Sequence, residues 1–532
     1  MFKREPKGRI ETGEIPVLRQ GEEAPLSESP PEKGRTASRN LTIFKSFLLT
    51  ALMVLTLYGM IDRGLAGPER WLPAAAAILG LFFISLFIAD YFADTPRIAW
   101  VLVGLLAVLV AMKGLSFTWS IAQTETASEL LRSSMYLASF VLAVSSLSSR
   151  RLVGPFIDAM NLMVGVIAGY GMLQKTNPVE YANTSDGFTV SSTLEYANTV
   201  GVLQGMGIVL GLGRMTQLKN PVARGLYAAL ILIFGVTLYF TFSRGGILAL
   251  GVGLVTLFVV GGSRLQMFAN LLLVCGPLAW LVVRVQDLGT LFTGGGAEDL
   301  RAAEGVAFRT DLIIAVLAAF VLQAVYAVLV GRYELPPVLR RSLGVTTMIV
   351  VLACVGALGF VMIGEQRGSS ETAGTSISKA EEPEHVNPRF TSVSSPERMK
   401  YWQVAWDEWK KYPLTGTGAG TFSYTWLQNR PDFTGVRQVH NLYLEQGTET
   451  GIIAFLALTG FAALLAGYLA RATWRASGER KALLGGLTGA VAVYLISSVF
   501  EWHWYIPPST IFFFILAGVA VKFASDEPER DT

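Results

Sequence analysis

The chain has 532 residues, 52% of them hydrophobic and 16% charged, against about 25% charged residues in an ordinary soluble domain. Its formal net charge of +3 is small and spread along the sequence, which argues against a nucleic-acid partner held by a basic face. The two cysteines, Cys275 and Cys354, both lie in apolar runs; they read as packing residues and offer no disulfide framework.

Residues 1–42 are polar and rich in Pro, Gly, Glu, Lys and Arg. They read as a disordered tail, too long to be the n-region of a cleaved signal peptide. Apolar runs of membrane-spanning length then recur from Ile43 to Val521. Such runs predict an all-α, polytopic integral membrane protein, because in lipid a helix closes its own backbone hydrogen bonds and an open sheet does not. About fourteen spans, within a range of roughly twelve to fourteen, follow from run length and flanking charge. They begin near Phe44, Trp71, Ile98, Ser133, Val153, Ala197, Val222, Gly245, Gln266, Leu312, Leu343, Leu442, Leu483 and Thr510. The organisation expected is a tail (1–42), a first helical bundle (43–363), a large loop (364–440), the last helices (441–523) and a short tail (524–532).

Basic residues orient the spans. Arg150 and Arg151 share one short loop; Arg214, Lys219 and Arg224 share the next on that side; then come Arg264, then Arg332, Arg340 and Arg341, and last Arg471, Arg475, Arg480 and Lys481. With alternating spans all fall on the side of the N-terminal tail, so both termini are expected in the cytoplasm. The opposite side carries the longer connections, from about Lys175 to Asn198, Gln286 to Asp311 and Glu365 to His440. The last begins with a Ser/Thr/Glu-rich part, Gly368 to Glu384, that reads as mobile. Beyond it, Arg398, Trp402, Ala405 and Trp409 recur at helical spacing, with Trp406 beside them. This predicts an amphipathic helix with its indoles at headgroup level. Pro413 ends it, and Gly416-Thr417-Gly418-Ala419-Gly420 follows as a turn-rich link.

The chain contains three histidines. His385 lies in the mobile part, and no role is read for it. His503 sits in the aromatic outer turn Glu501-Trp502-His503-Trp504-Tyr505 and reads as an interfacial anchor. His440 opens a helix on the outer side in His440-Asn441-Leu442-Tyr443-Leu444-Glu445, with Arg437 just before and Gly451 further on. It is either a satisfied interfacial histidine or a base working near neutral pH. Asn441 and Glu445, a turn apart, are placed to orient a partner or an acceptor, and Trp402 and Arg437 to contact substrate. Arg244, in Thr241-Phe242-Ser243-Arg244-Gly245-Gly246, falls at an outer junction against the charge rule. It is either an arginine snorkelling to headgroup phosphate or a bidentate ligand for a diphosphate. Arg398 is its natural second guanidinium and Arg437 a weaker third.

No Asp-x-Asp or Glu-x-Asp occurs in the first outer loop, Ile61 to Arg70, where metal-dependent lipid-linked sugar transferases often carry one; no zinc-spaced His/Cys set and no P-loop occurs either. The spans are poor in acidic residues, Asp158 being the clearest exception, which argues against an ion-coupled carrier.

Four pieces in order, Ser243-Arg244-Gly245, Arg398 with Trp402 and Ala405, Pro413 through Gly420 with Phe422, and His440-Asn441 with Gly451, resemble the O-antigen ligase and O-antigen polymerase family of bacterial membrane glycosyltransferases. The resemblance covers roughly Tyr196 to Phe455. It implies metal-independent, inverting transfer of a glycan from an undecaprenyl-diphosphate carrier to an acceptor hydroxyl on the outer face of the plasma membrane, with no cofactor. By position it implies His440 as base or acceptor-orienting residue, and Arg244 and Arg398 as diphosphate ligands. The acceptor stays open between glycan, lipid and protein. Rival readings are a transporter or flippase for lipid-linked sugars, which calls for broken helices and polar groups deep in the membrane, and a non-catalytic assembly factor docking through the Trp402–Trp409 helix.

Overall fold

A chain in lipid must satisfy its backbone internally, and every regular element among the described residues is helical. The computed structural model describes residues 32–181, 183, 187–330, 342–346, 349, 353 and 396–526. In chain order the helices are α1 (Glu32–Ile61), α2 (Pro68–Leu86), α3 (Arg97–Leu115), α4 (Gln123–Ser146), α5 (Val153–Thr176), α6 (Ala197–Met215), α7 (Pro221–Phe240), α8 (Arg244–Val260), α9 (Arg264–Val285), the single turn α10 (Thr290–Thr293) and α11 (Glu298–Val330). After these come α12 (Pro396–Lys411), α13 (Phe422–Asn429), α14 (Leu442–Arg475), α15 (Gly478–Ser497) and α16 (Pro507–Ser525). A helix therefore stands at each expected span start outside the Leu343 region. That region lies mostly outside the described residues, as do Arg332, Arg340, Arg341, Cys354, the stretch Gly368 to Glu384 and His385.

Among the described residues, 9 helices are long and apolar enough to cross a membrane: α1, α2, α3, α5, α7, α9, α11, α14 and α16. The chain is a polytopic helical membrane protein. One boundary differs from expectation: α1 starts at Glu32, inside the stretch read as a disordered tail.

The helices form a centre and a periphery. In α6 every residue from Thr199 to Gly213 is buried, and α16 is buried almost throughout, whereas α1, α2, α3, α9 and α11 keep broad apolar faces outward. α6, α8 and α15 meet along a glycine seam. A Cβ on Gly213 would lie 2.8 Å from the Gly486 Cα, and one on Gly253 3.1 Å from the Gly489 carbonyl oxygen. Lipid tails are as apolar as leucine, so helices in a bilayer gain mainly from such close backbone approach.

Contacts define two ends of the bundle. At one, Arg480 donates to the carbonyls of Phe523 and Ala524, Arg264 to those of Phe258 and Val259, and Lys481 to that of Trp474. These cations sit on the last carbonyls of α16, α8 and α14, where unpaired oxygens and the helix dipole favour positive charge. Arg150 joins them through Asp526 at 3.6 Å. Among the described residues, Arg150, Arg264, Arg480 and Lys481 of the basic loops thus gather at one end, and α8, α14 and α16 begin at the other.

α14 is interrupted. Gly451 (φ 77°, ψ −174°) breaks it into a polar first segment, Leu442 to Thr450, and an apolar second one. The break receives the chain after α12: the Leu414 carbonyl lies where a Gly451 Cβ would stand, and the Ile452 N–H donates to the Pro413 carbonyl at 2.9 Å.

Candidate functional site

The segment from Pro396 to His440, the end of the loop expected on the outer side and called the outer segment below, builds a small core of its own. Tyr401, Ala405, Phe422, Trp426 and Val439 are buried together, with Trp402, Val436 and Leu444 packed against them. Glu449 ties this core to the bundle: its carboxylate accepts the N–H groups of Gly420 (2.8 Å) and Phe422 (3.0 Å). It thereby caps the start of α13, where unpaired N–H groups favour an anion.

α12 is the expected loop helix, but its tryptophans divide. Trp409 is buried against Gly447, where an added Cβ would lie 2.7 Å from the indole, and its Nε1–H donates to the Pro413 carbonyl. Trp402 packs on the small core. Only Trp406 is exposed. The helical spacing marked the inner face of α12, which packs on protein.

At the end of the bundle where α8, α14 and α16 begin, one carboxylate holds Arg398 and meets the start of α8. Glu501, which precedes α16, is buried. Its Oε1 accepts from Arg398 Nη2 at 2.6 Å and its Oε2 from the Tyr196 hydroxyl at 2.7 Å. Asn198 Nδ2 donates in turn to that hydroxyl at 3.1 Å. A Cβ on Gly245 would lie 3.5 Å from Glu501 Oε1, so α8 starts against the same carboxylate. Arg244, its first residue, is half-buried there, and Ser243 caps the helix by accepting from the Gly246 N–H.

His440 joins this group through its neighbours. Its ring centroid is 5.5 Å from that of Tyr401 and 6.2 Å from that of Trp502, the residue after Glu501. Its backbone is left-handed (φ 58°), an uncommon conformation for a non-glycine residue. Nδ1 lies 3.0 Å from the Gln438 carbonyl. A carbonyl only accepts, so in the neutral ring Nδ1 carries the proton and Nε2 is the basic nitrogen. Burial pushes the imidazole pKa below its ordinary value, more than the Gln438 carbonyl and the nearby Glu501 raise it; Arg398 adds to the lowering.

The remaining expected residues divide. Asn441 is the N-cap of α14, its Oδ1 accepting from the Leu444 N–H at 3.0 Å. Glu445 does not face the site's open side: it is buried, accepting from the Val439 N–H (2.8 Å) and the Tyr505 hydroxyl (2.6 Å). It braces the backbone just before His440, because a buried carboxylate needs donors on both oxygens. Arg437 is exposed. Trp402 Nε1 is buried without a partner among the described residues. His503, read as an anchor, is fully buried instead, hydrogen-bonded to Ser498 Oγ at 3.0 Å, and burial pushes its pKa down to about 3. Sequence reasoning missed Glu501 and Tyr196. An acidic residue in a short aromatic outer turn was the available signal for Glu501, and it was read as part of an anchor.

Such a site belongs to a helical membrane protein that holds guanidinium groups and a neutral imidazole at one end of its bundle. A family model described as O-Antigen ligase matches residues 305–459. That match supports, over this stretch, the resemblance to the O-antigen ligase/polymerase family read from the sequence. The match spans Arg398, Trp402, Arg437, His440, Asn441 and Glu445 and leaves out Arg244, Tyr196 and Glu501. No curated protein matches the chain.

Proposed function

We propose that the protein is a membrane glycosyltransferase that moves a glycan from an undecaprenyl-diphosphate carrier to an acceptor hydroxyl on the outer face of the plasma membrane, by the metal-independent, inverting transfer that the family resemblance implies. The observation that carries the reading is the cluster round Glu501, to which Arg398, Tyr196, the start of α8 and, through Trp502, His440 all contribute. α6, α8, α12 and α14 all begin close to this point, so their N-terminal dipoles add to the guanidinium charge. That field favours a diphosphate and stabilises it further as it leaves with growing negative charge. The acceptor oxygen attacks the anomeric carbon from the face opposite the departing phosphate, the anomeric C–O bond breaks with its electron pair going to the diphosphate, and Nε2 of His440 takes the acceptor proton. Glu501 and Tyr196 hold Arg398 in register. Glu445 and Asn441 act through His440 as positioning residues.

The broken α14 and the buried Lys113, Glu129, Glu445 and Glu449 supply the features on which the transporter reading depends. The break is filled by the Leu414 carbonyl of the outer segment, and its buried carboxylates hold loop and helix backbone, which favours the transferase.

Reconstituted protein with a radiolabelled lipid-diphosphate glycan and acceptor separates the readings. A new glycosidic bond, lost in His440→Ala while the protein stays folded in the membrane, supports the transferase. Movement across the bilayer without a new bond supports the carrier, and the absence of both supports an assembly factor.

A further inference from the structure

The exposed apolar surface of the outer segment lies on a different side of α12 from the one its helical spacing marks. Trp409 is spent on Gly447 and Phe455, and Trp402 on the loop core. The large apolar side chains that α12 and the following turn leave exposed are Met399 near the start of the helix and, together at its far end, Trp406 (51%), Tyr412 (49%) and Leu414 (67%). These residues are joined to the membrane-spanning surface by contacts already described. Leu414 is seated on the break at Gly451, and Trp406 reaches Phe455 through Trp409, with centroids at 5.5 and 4.9 Å.

The level of that contact is fixed by α14 itself. Before Gly451 the helix is polar, and Glu445, Gln446, Thr448, Glu449 and Thr450 are buried in protein. After it, Ile452 to Ala470 contains no charged residue, and Ile453 and Leu456 face outward. Across the Leu414 turn, Trp119 Nε1 donates to the Thr415 carbonyl at 3.1 Å, which brings the exposed Leu115 and Ile121 alongside. An exposed Trp, Tyr and Leu continuous with two apolar spans, with Lys410 and Lys411 between Trp406 and Tyr412 and paired with Asp407 and Glu408, match the composition of a membrane–water boundary. Away from this flank, Lys400 pairs with Asp432 and Phe433 stands at an exposed tip.

We propose that Trp406, Tyr412 and Leu414 form a wedge that enters the bilayer at the headgroup–acyl boundary, so that lipid rather than protein covers this flank of the outer segment. Through α12 the wedge sets the height of Arg398 above the acyl chains. The wedge stands independently of the transferase reading, since it rests on exposure and continuity alone.

The test uses full-length protein in phospholipid nanodiscs, with Cys275 and Cys354 replaced by serine and one nitroxide at a time at Trp406→Cys, Tyr412→Cys and Leu414→Cys. Leu456→Cys supplies the lipid reference and Phe433→Cys the water reference. Collision with oxygen should exceed collision with a water-soluble nickel chelate at all three positions, as at 456, and the order should reverse at 433. Nickel access like that at 433 would show water on this face and overturn the wedge. Low access to both reagents would show a second copy or another protein covering it and would overturn it equally. A label-free check is the fluorescence lost on going to Trp406→Phe: that component should be quenched by brominated lipid, and an unquenched component refutes the wedge.

Discussion

At the residue scale the proposed chemistry rests on His440. Its ring is half-buried, and Nδ1 is committed to the Gln438 carbonyl, so the basic form is the one with a free Nε2 lone pair. The sign of the pH dependence follows from the downward shift. A base works when neutral; a lowered pKa means that protonation sets in only at lower pH. The acidic limb of kcat/KM should therefore fall below the ordinary histidine value of about 6.5, with activity flat through neutrality. A limb at or above that value would mean that another group is titrating. His440→Ala should cost about 10²- to 10⁴-fold in transfer. The cations answer to geometry: Arg244→Lys and Arg398→Lys keep charge but lose the planar fork, and each should lose much of kcat. Glu501→Gln gives a sharper signature. Removing a negative charge beside the diphosphate site should lower KM for the donor, while the looser hold on Arg398 lowers kcat. A fall in kcat with KM unchanged would make Glu501 a purely structural residue.

At the scale of elements, the decisive feature is the joint between α14 and the outer segment. Gly451 has a positive φ, and the Leu414 carbonyl fills the space of a side chain. Gly451→Ala must therefore strain the backbone and displace the link, at a cost of about 1–3 kcal/mol from the backbone alone. It should appear as a lowered melting temperature in detergent and a larger loss of activity than of folded protein. A second brace lies beneath. Lys113 and Glu129, both buried, pair at 3.1 Å, and Arg132 also pairs with Glu129 while packing on Trp71 and Tyr505. Breaking a buried pair by removing one partner costs about 3–5 kcal/mol, far more than replacing both. Glu129→Leu, which strands both cations, should thus be more damaging to thermal stability than Lys113→Met, Glu129→Leu and Arg132→Met combined. If the triple variant is the worse of the two, the cluster's charge serves more than packing.

For the whole molecule, the part legible in the sequence is the part that long-range periodicity and charge encode. Run length found a helix at every expected start outside the Leu343 region, because a span must be apolar over its full length. Positive charge found the end of the bundle where Arg150, Arg264, Arg480 and Lys481 cap or pair. The candidate site was legible only in part: Arg244, Arg398 and His440 stand out in the sequence as polar groups at helix junctions, whereas Glu501 and Tyr196 become partners only when helices distant in sequence meet. The inward face of Trp402 and Trp409 was hidden for the same reason, since a helix pattern does not say whether lipid or protein receives its apolar face. The proposed function requires a single orientation, with the site end outside and the basic end in the cytoplasm, and that orientation is testable. Phe433→Cys, 94% exposed at the tip of the outer segment, should react in intact cells with a membrane-impermeant maleimide. Ser477→Cys, exposed in the turn between α14 and α15, should react only after permeabilisation. Both variants need Cys275 and Cys354 replaced first. The reverse pattern would turn the His440 end toward the cytoplasm, where an acceptor on the outer face is out of reach.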